Sequence, residues 1–125
     1  MNHLLLPLLA SITFAESVFA SLPVVFIENC YDGDTCQTIN GEKIRLACID
    51  TPELKGRKAN IIPATKAKDF LNSLVANREV SIRRITFDRY GRTVAELIKD
   101  KENIQELIVK NGFGKIYRKY SHQCE

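Results

Sequence analysis

Three carboxylates and two guanidiniums stand out by type and spacing. Asp34 lies in Asp-Gly-Asp-Thr, Asp50 and Glu53 lie in Asp-Thr-Pro-Glu, Arg45 precedes Asp50 by five residues, and Arg92 follows the glycine of Asp88-Arg89-Tyr90-Gly91. Cleaving a phosphodiester with water needs a cation on the phosphate oxygens, donors that absorb charge at phosphorus, and a group that places the water. Oxygen ligands such as Asp34 and Asp50 favour a hard ion, calcium rather than zinc. Each guanidinium can clasp two phosphate oxygens. Arg45 stands between Ile44 and Leu46, so in a strand its side chain leaves on the face opposite theirs.

Each piece also has a plain structural reading. Asp-Gly-Asp-Thr alone is a turn signal. In Asp50-Thr51-Pro52-Glu53, Thr51 suits a helix N-cap, Pro52 the first helical position and Glu53 the positive end of a short helical turn. The charges of residues 88–92 suit a solvated hairpin loop, and Tyr90, Tyr117 and Tyr120 suit a core or its rim. Only the joint order of the motifs favours chemistry over these readings.

The elements that must carry these residues are written in the apolar pattern. Residues 22–27 are β-branched and aromatic, and residues 31–35 are an Asp-Gly turn. Residues 35–39 and 43–49 flank Asn40-Gly41, the strongest two-residue hairpin signal, with Ile44, Leu46 and Cys48 alternating against Lys43, Arg45 and Ala47. This predicts a three-stranded meander. Residues 54–62, with Lys55, Arg57 and Lys58, predict an exposed loop.

From Ala64 the spacing turns helical, with Ala67, Phe70, Leu71, Leu74 and Val75 on one face after Pro63. Residues 79–86 and 93–98 alternate again as a fourth and fifth strand. Asn103 ahead of Glu106 starts a second helix that Asn111-Gly112 closes, and residues 113–120 read as extended. The order β-β-β-α-β-β-α predicts an α+β, mainly β fold: a five-stranded OB-fold barrel with packed helices.

A chain of 125 residues holds one domain. Residues 4–14 form an apolar run broken by Pro7, Ser11 and Thr13, and Val18 and Ala20 are the small residues a signal peptidase accepts. Residues 1–20 are therefore expected to be a signal peptide, with residues 21–125 as the exported domain, secreted or periplasmic. The run is too short to span a bilayer of about 30 Å. Removing it deletes Glu16 and no Lys or Arg, moving the formal charge from +3 to +4. That mildly basic balance suits a polyanionic partner. Cys30, Cys36, Cys48 and Cys124 are an even count, which in an oxidising compartment means two disulfides in one of three connectivities. A zinc site is disfavoured, because there is no Cys-x-x-Cys pair and His122 is the one histidine after the leader.

Taken in order, Asp34 within Asp-Gly-Asp-Thr, Arg45-Leu46 before Asp50-Thr51-Pro52-Glu53, Asp88-x-Tyr90-Gly91-Arg92, and Asn103 before a helix ending at Gly112 resemble the staphylococcal nuclease family. The resemblance covers residues 24–120. It implies a calcium ion (Ca2+) held by Asp34, Asp50 and the backbone carbonyl of Thr51. Glu53 would position the attacking water, Arg45 and Arg92 would hold the phosphate, and Tyr90 and Tyr120 would line the nucleotide pocket. The implied protein is a monomeric, calcium-dependent nuclease acting on DNA and RNA, with single strands preferred.

In that family the third strand lies near the segment after the last helix, which implies a Cys48–Cys124 bridge. Cys30–Cys36 is then left across the first turn, a pairing that needs a bulge. The family's closing Ala- and Lys-rich helix has no counterpart up to Glu125, and the type member lacks the cysteines. Two other readings compete: a non-catalytic OB-fold module binding single-stranded nucleic acid through basic and tyrosine side chains, and an exported module in which calcium only orders a loop. The full set of carboxylates and arginines argues against both.

Overall fold

The computed structural model describes residues 22–124. The expected signal peptide, residues 1–20, lies outside the described residues. β1 (Val24–Asp32), β2 (Thr35–Thr38) and β3 (Lys43–Leu46) form the antiparallel meander. The β2–β3 turn is closed by Gly41, at φ +88, and by Thr38, whose hydroxyl accepts the Glu42 amide at 3.0 Å. Two register shifts break β1, between Ile27 and Asn29 and between Cys30 and Asp32. Such bulges let Ile27 and Cys30, three apart, both face the core. Cys30 thereby stands directly opposite Cys36 and is bonded to it, with Cα atoms 3.8 Å apart.

Closure of the sheet needs contacts distant in sequence. β1 pairs with β5 (Arg78–Phe87), β5 pairs with β6 (Thr93–Lys99), and β6 returns parallel to β3 through Ile44↔Thr93, Arg45↔Val94 and Leu46↔Ala95. The result is a closed five-stranded barrel whose interior holds Ile27, Ile44, Leu46, Ile82 and Leu97. α1 (Ile61–Val75) covers one opening with Ala64, Ala67, Leu71 and Val75. Asn72 ties it to the bulged strand, donating to the Cys30 carbonyl at 3.0 Å and accepting its amide at 2.8 Å. α2 (Ile104–Lys110) is capped by Asn103, whose side chain accepts the Glu106 amide, and buries Ile104 and Ile108. Short pieces complete the chain: β4 (Ile49–Asp50), β7 (Glu102–Asn103), β8 (Lys115–Ile116) and a 3-10 turn (Arg118–Gln123). No helix among the described residues is long and apolar enough to cross a membrane.

Three expectations need correction. α1 begins at Ile61, not Ala64, because Ile61 and Ile62 face solvent and hide the helical period. The third strand ends at Leu46, not residue 49. Cys48 adopts φ +65, Ala47 turns inward to full burial, and the chain restarts as β4. That break is held by tertiary hydrogen bonds: the Ala47 amide donates to the Ala95 carbonyl, and the Tyr117 amide to the Cys48 carbonyl, both at 2.8 Å. The final stretch is not extended throughout, since after β8 it coils into the 3-10 turn, and Cys124, the next residue, is bonded to Cys48.

Candidate active site

The β1–β2 turn presents Asp34 at the end of the barrel. Gly33 is required there. A Cβ at Gly33 would lie 2.7 Å from the Ala67 Cβ and 2.8 Å from the Thr51 hydroxyl, so any side chain would push the turn off α1 and off Thr51. Asp34 Oδ2 accepts the Thr51 amide at 3.2 Å, and Oδ1 accepts the Thr35 hydroxyl at 3.3 Å. Arg45 from β3 reaches both neighbouring carboxylates, with Nη1 3.4 Å from Asp34 Oδ2 and Nη2 3.8 Å from Asp50 Oδ1. Nη1 also donates to the Leu46 carbonyl at 2.6 Å, which fixes the guanidinium over the end of its own strand. Gly114, beside β8, packs on the same segment, where a Cβ would sit 3.0 Å from the Asp50 carbonyl oxygen.

Burial pushes the Asp34 carboxyl up to about 7, although the Arg45 charge works to lower it. Asp34 is therefore a desolvated carboxylate short of positive charge. A divalent cation beside it would supply that charge, and Asp34, Asp50 and the Thr51 carbonyl are the hard oxygen donors such an ion takes. Among the described residues no group of three or more His, Cys, Asp or Glu side chains stands at metal-holding distance. An ion here would be held by two carboxylates, one carbonyl and water, a set calcium accepts.

Arg92 is set at the other end of the site by the β5–β6 hairpin. Asp88 Oδ1 accepts the amides of Tyr90 at 2.9 Å and of Arg92 at 3.0 Å, and Oδ2 accepts Arg92 Nε at 2.6 Å. Gly91, at φ +79, takes the left-handed position the turn needs. The guanidiniums of Arg89 and Arg92 lie 4.9 and 5.5 Å from the centre of the Tyr90 ring, and Arg89 also donates to the Tyr90 hydroxyl at 2.7 Å.

Arg45 and Arg92 meet in one cleft of about 590 Å³, lined also by Val94, Phe87, Tyr90, Tyr117 and Tyr120. The parallel β3–β6 pairing makes this possible, because it sets Arg45 beside Val94, two residues from Arg92. Asp34 and Asp50 join the cleft through their ion pairs with Arg45, while Thr51 is buried beneath them. Glu53 stands apart: it is exposed, and its backbone bridges to Ala59 at the mouth of the loop bearing Lys55, Arg57 and Lys58. The closing segment contributes Tyr117 and Tyr120, whose rings meet edge to face at 5.2 Å. Sequence reasoning missed Phe87. Its one signal was a large apolar residue immediately before the Asp88 turn.

Comparison with known proteins agrees with this arrangement. The family described as staphylococcal nuclease homologue matches residues 43–125. An uncharacterized endonuclease of Haemophilus influenzae is 40% identical over 95 residues, covering 73% of this chain and 51% of that protein. Endonuclease YncB of Bacillus subtilis is 31% identical over 102 residues, covering 74% and 47%. The thermonuclease of Staphylococcus hyicus is 33% identical over 105 residues, covering 75% and 62%. The chain thus spans about half the length of the first two relatives. With the barrel, the arginine-lined cleft and these matches in agreement, the chain belongs to the staphylococcal nuclease homologue family.

Proposed function

We propose that the protein is a calcium-dependent nuclease that hydrolyses phosphodiester bonds in DNA and RNA, preferring single strands and acting as an exported monomer. The observation that carries the reading is the convergence of Arg45 and Arg92 on one tyrosine-lined cleft, with Arg45 simultaneously paired to Asp34 and Asp50. Calcium, held by Asp34, Asp50 and the Thr51 carbonyl, would neutralise charge on the scissile phosphate. Arg45 and Arg92 bind the phosphate oxygens and resist the charge that builds on them as water attacks. Tyr90 and Tyr120 hold the nucleotide. Glu53, exposed on the loop that follows Thr51, would orient the water and draw off its proton once substrate fills the cleft. Two disulfides support a protein that works in an oxidising compartment.

The test is hydrolysis of a fluorescently quenched single-stranded DNA, with calcium and with excess chelator, for the wild type and for Arg92→Ala. Calcium-dependent cleavage that the variant loses is expected. Equal cleavage in chelator would refute the reading. The aromatic and basic lining of the cleft also favours a second reading, a module that binds single strands without cutting them. Tight binding with no cleavage under any metal condition would establish it instead.

A further inference from the structure

Four aromatic side chains line the cleft, and three of them already have partners. Two guanidiniums lie over the Tyr90 ring, whose hydroxyl is held by Arg89. Tyr117 and Tyr120 meet edge to face, and Lys119 Nζ lies 5.3 Å from the Tyr120 ring centre. Phe87 is the exception. It lines the same cleft, is 72% exposed, and among the described residues its ring neither stacks on another ring nor lies under a cation.

A phenylalanine has no polar handle that would favour so open a position, and isolated exposed apolar residues need no explanation. Phe87 is not isolated. It ends β5 one residue before Asp88, the side chain that folds the Arg92 turn, and opposite Thr93 of β6. Its backbone position is thus set by the same hairpin that sets Arg92. A flat unpartnered ring beside phosphate-binding guanidiniums is the pairing by which proteins take hold of single strands, the ring receiving a base and the cations the backbone.

We propose that Phe87 is the stacking platform for a second base, that of a nucleotide adjacent to the one held at Arg92 and Tyr90. This rests on the nuclease reading of the cleft and adds to it a specific subsite: the ligand is a single strand of at least two nucleotides, and the Phe87 position is selective for an unpaired base. A base stacked on Phe87 cannot also remain paired in a duplex, so the subsite penalises double-stranded substrate.

The experiment measures KM and kcat on a short single-stranded DNA with one preferred cut. A parallel series carries a single abasic residue moved one position at a time across that cut. Equilibrium affinity is read on the same oligonucleotides by fluorescence anisotropy in chelator. Loss of one base–aromatic stack corresponds to roughly a tenfold weakening. Phe87→Ala should therefore raise KM and the dissociation constant by about tenfold, with the loss carried by KM rather than kcat, and Phe87→Trp should restore both. One abasic position should reproduce the loss in the wild type, and Phe87→Ala should cost nothing further on that oligonucleotide.

An unchanged affinity in Phe87→Ala, or a loss of equal size at every abasic position, overturns the proposal. If the wild type cuts nothing, the nuclease reading fails while anisotropy still decides the role of Phe87. Absence of both cleavage and binding overturns both.

Discussion

Asp88 grips Arg92 at two points, accepting Nε on one carboxylate oxygen at 2.6 Å and the backbone amide on the other at 3.0 Å. Because the side-chain contact uses Nε, Asp88 leaves the two terminal nitrogens of the guanidinium for the phosphate that the proposed function assigns to Arg92. Burial works against the charge on Asp88, but the hydrogen bonds from Arg92 and Tyr90 outweigh it and hold its carboxyl below the usual range. Asp88 is therefore ionised at neutral pH, where its hydrogen bonds make it a positioning residue for Arg92. Asp88→Ala should lower kcat/KM by about 10- to 100-fold. In a double-mutant cycle it should add little to Arg92→Ala, since both remove the same aimed guanidinium. Additive losses would show that Asp88 acts elsewhere.

The proposed function gives Arg45 two duties that one variant separates. As a phosphate ligand it should contribute roughly 10²- to 10³-fold to turnover, as fixed donors to developing charge do. As the partner of Asp34 and Asp50 it also offsets their negative charge before any ion arrives. Arg45→Ala should therefore bind calcium more tightly by titration calorimetry while losing most of its turnover. A variant with weaker calcium binding would mean that the arginine organises the carboxylates rather than competing for them.

Metal choice tests the carboxylate set. Calcium tolerates irregular oxygen coordination, whereas magnesium demands a tight octahedron and gives up its water reluctantly. Magnesium should then support oligonucleotide binding but lose much of the rate, and Asp34→Ala should abolish the calcium response. Glu53→Gln should bind normally and cut slowly, because an amide does not draw a proton from the ordered water. Full activity in Asp34→Ala would remove this end of the barrel from the mechanism.

Glu42, in the β2–β3 turn, accepts two hydrogen bonds from Arg84 and one from the Thr93 hydroxyl, tying that turn to β5 and β6 next to Arg92. The bonds from Arg84 are the main cause that holds its carboxyl below the ordinary 4.5, against a smaller opposing effect of burial. In the unfolded chain it titrates near that ordinary value. The stabilisation is thus fully present above pH 4.5 and disappears as pH falls through the lower folded value. Glu42→Gln should melt below the wild type at neutral pH, with the gap closing on acidification. A gap that stays constant as pH falls well below 4.5 would show that the ionised form is not what matters.

Local patterns in the sequence foretold most of these elements, and non-local contacts account for what it concealed. Asn103 and Glu106 mark the start of α2, and Asn40-Gly41 the second hairpin, because each signal is satisfied within a few residues. The parallel return of β6 to β3 left no such mark, yet it alone brings Arg45 and Arg92 to one cleft. Ala47 reads as an outward position and is buried, because Cys48 turns the chain at positive φ. Nothing local demands that turn of a cysteine. Tyr90 and Tyr120 stand on the cleft, but Phe87 was hidden by its neighbours, since an aromatic at a strand end reads as core until its exposure is known.

The Cys48–Cys124 bridge ties the turn between Arg45 and Asp50 to the segment that carries Tyr117 and Tyr120. It spans a sequence separation of 76, so in the chain-entropy description it contributes about 4 to 5 kcal/mol by restricting the unfolded chain. Cys30–Cys36, separated by 6, contributes about 2 kcal/mol on the same basis. The two also differ in access. Cys30 and Cys36 are buried in the core, whereas Cys48 and Cys124 are half-buried at the rim of the cleft. Attack by an external thiolate requires access, so a mild reductant should open the rim bridge first. The barrel should survive that step, because its core and the Asn72 link to Cys30 are untouched. Freed at its end, the tyrosine segment keeps the β4–β8 pairing and the Arg83 bond to the Gln123 carbonyl, and loosens between them. A Cys48→Ser/Cys124→Ser variant should therefore lose several kcal/mol of stability in denaturant titrations, and KM for single-stranded DNA should rise more than kcat falls. Amide exchange should quicken in residues 117–124 and stay slow in β1 and β5. Equal KM in the oxidised wild type and the double variant would show that the bridge serves stability alone and that the tyrosine wall holds its place without it.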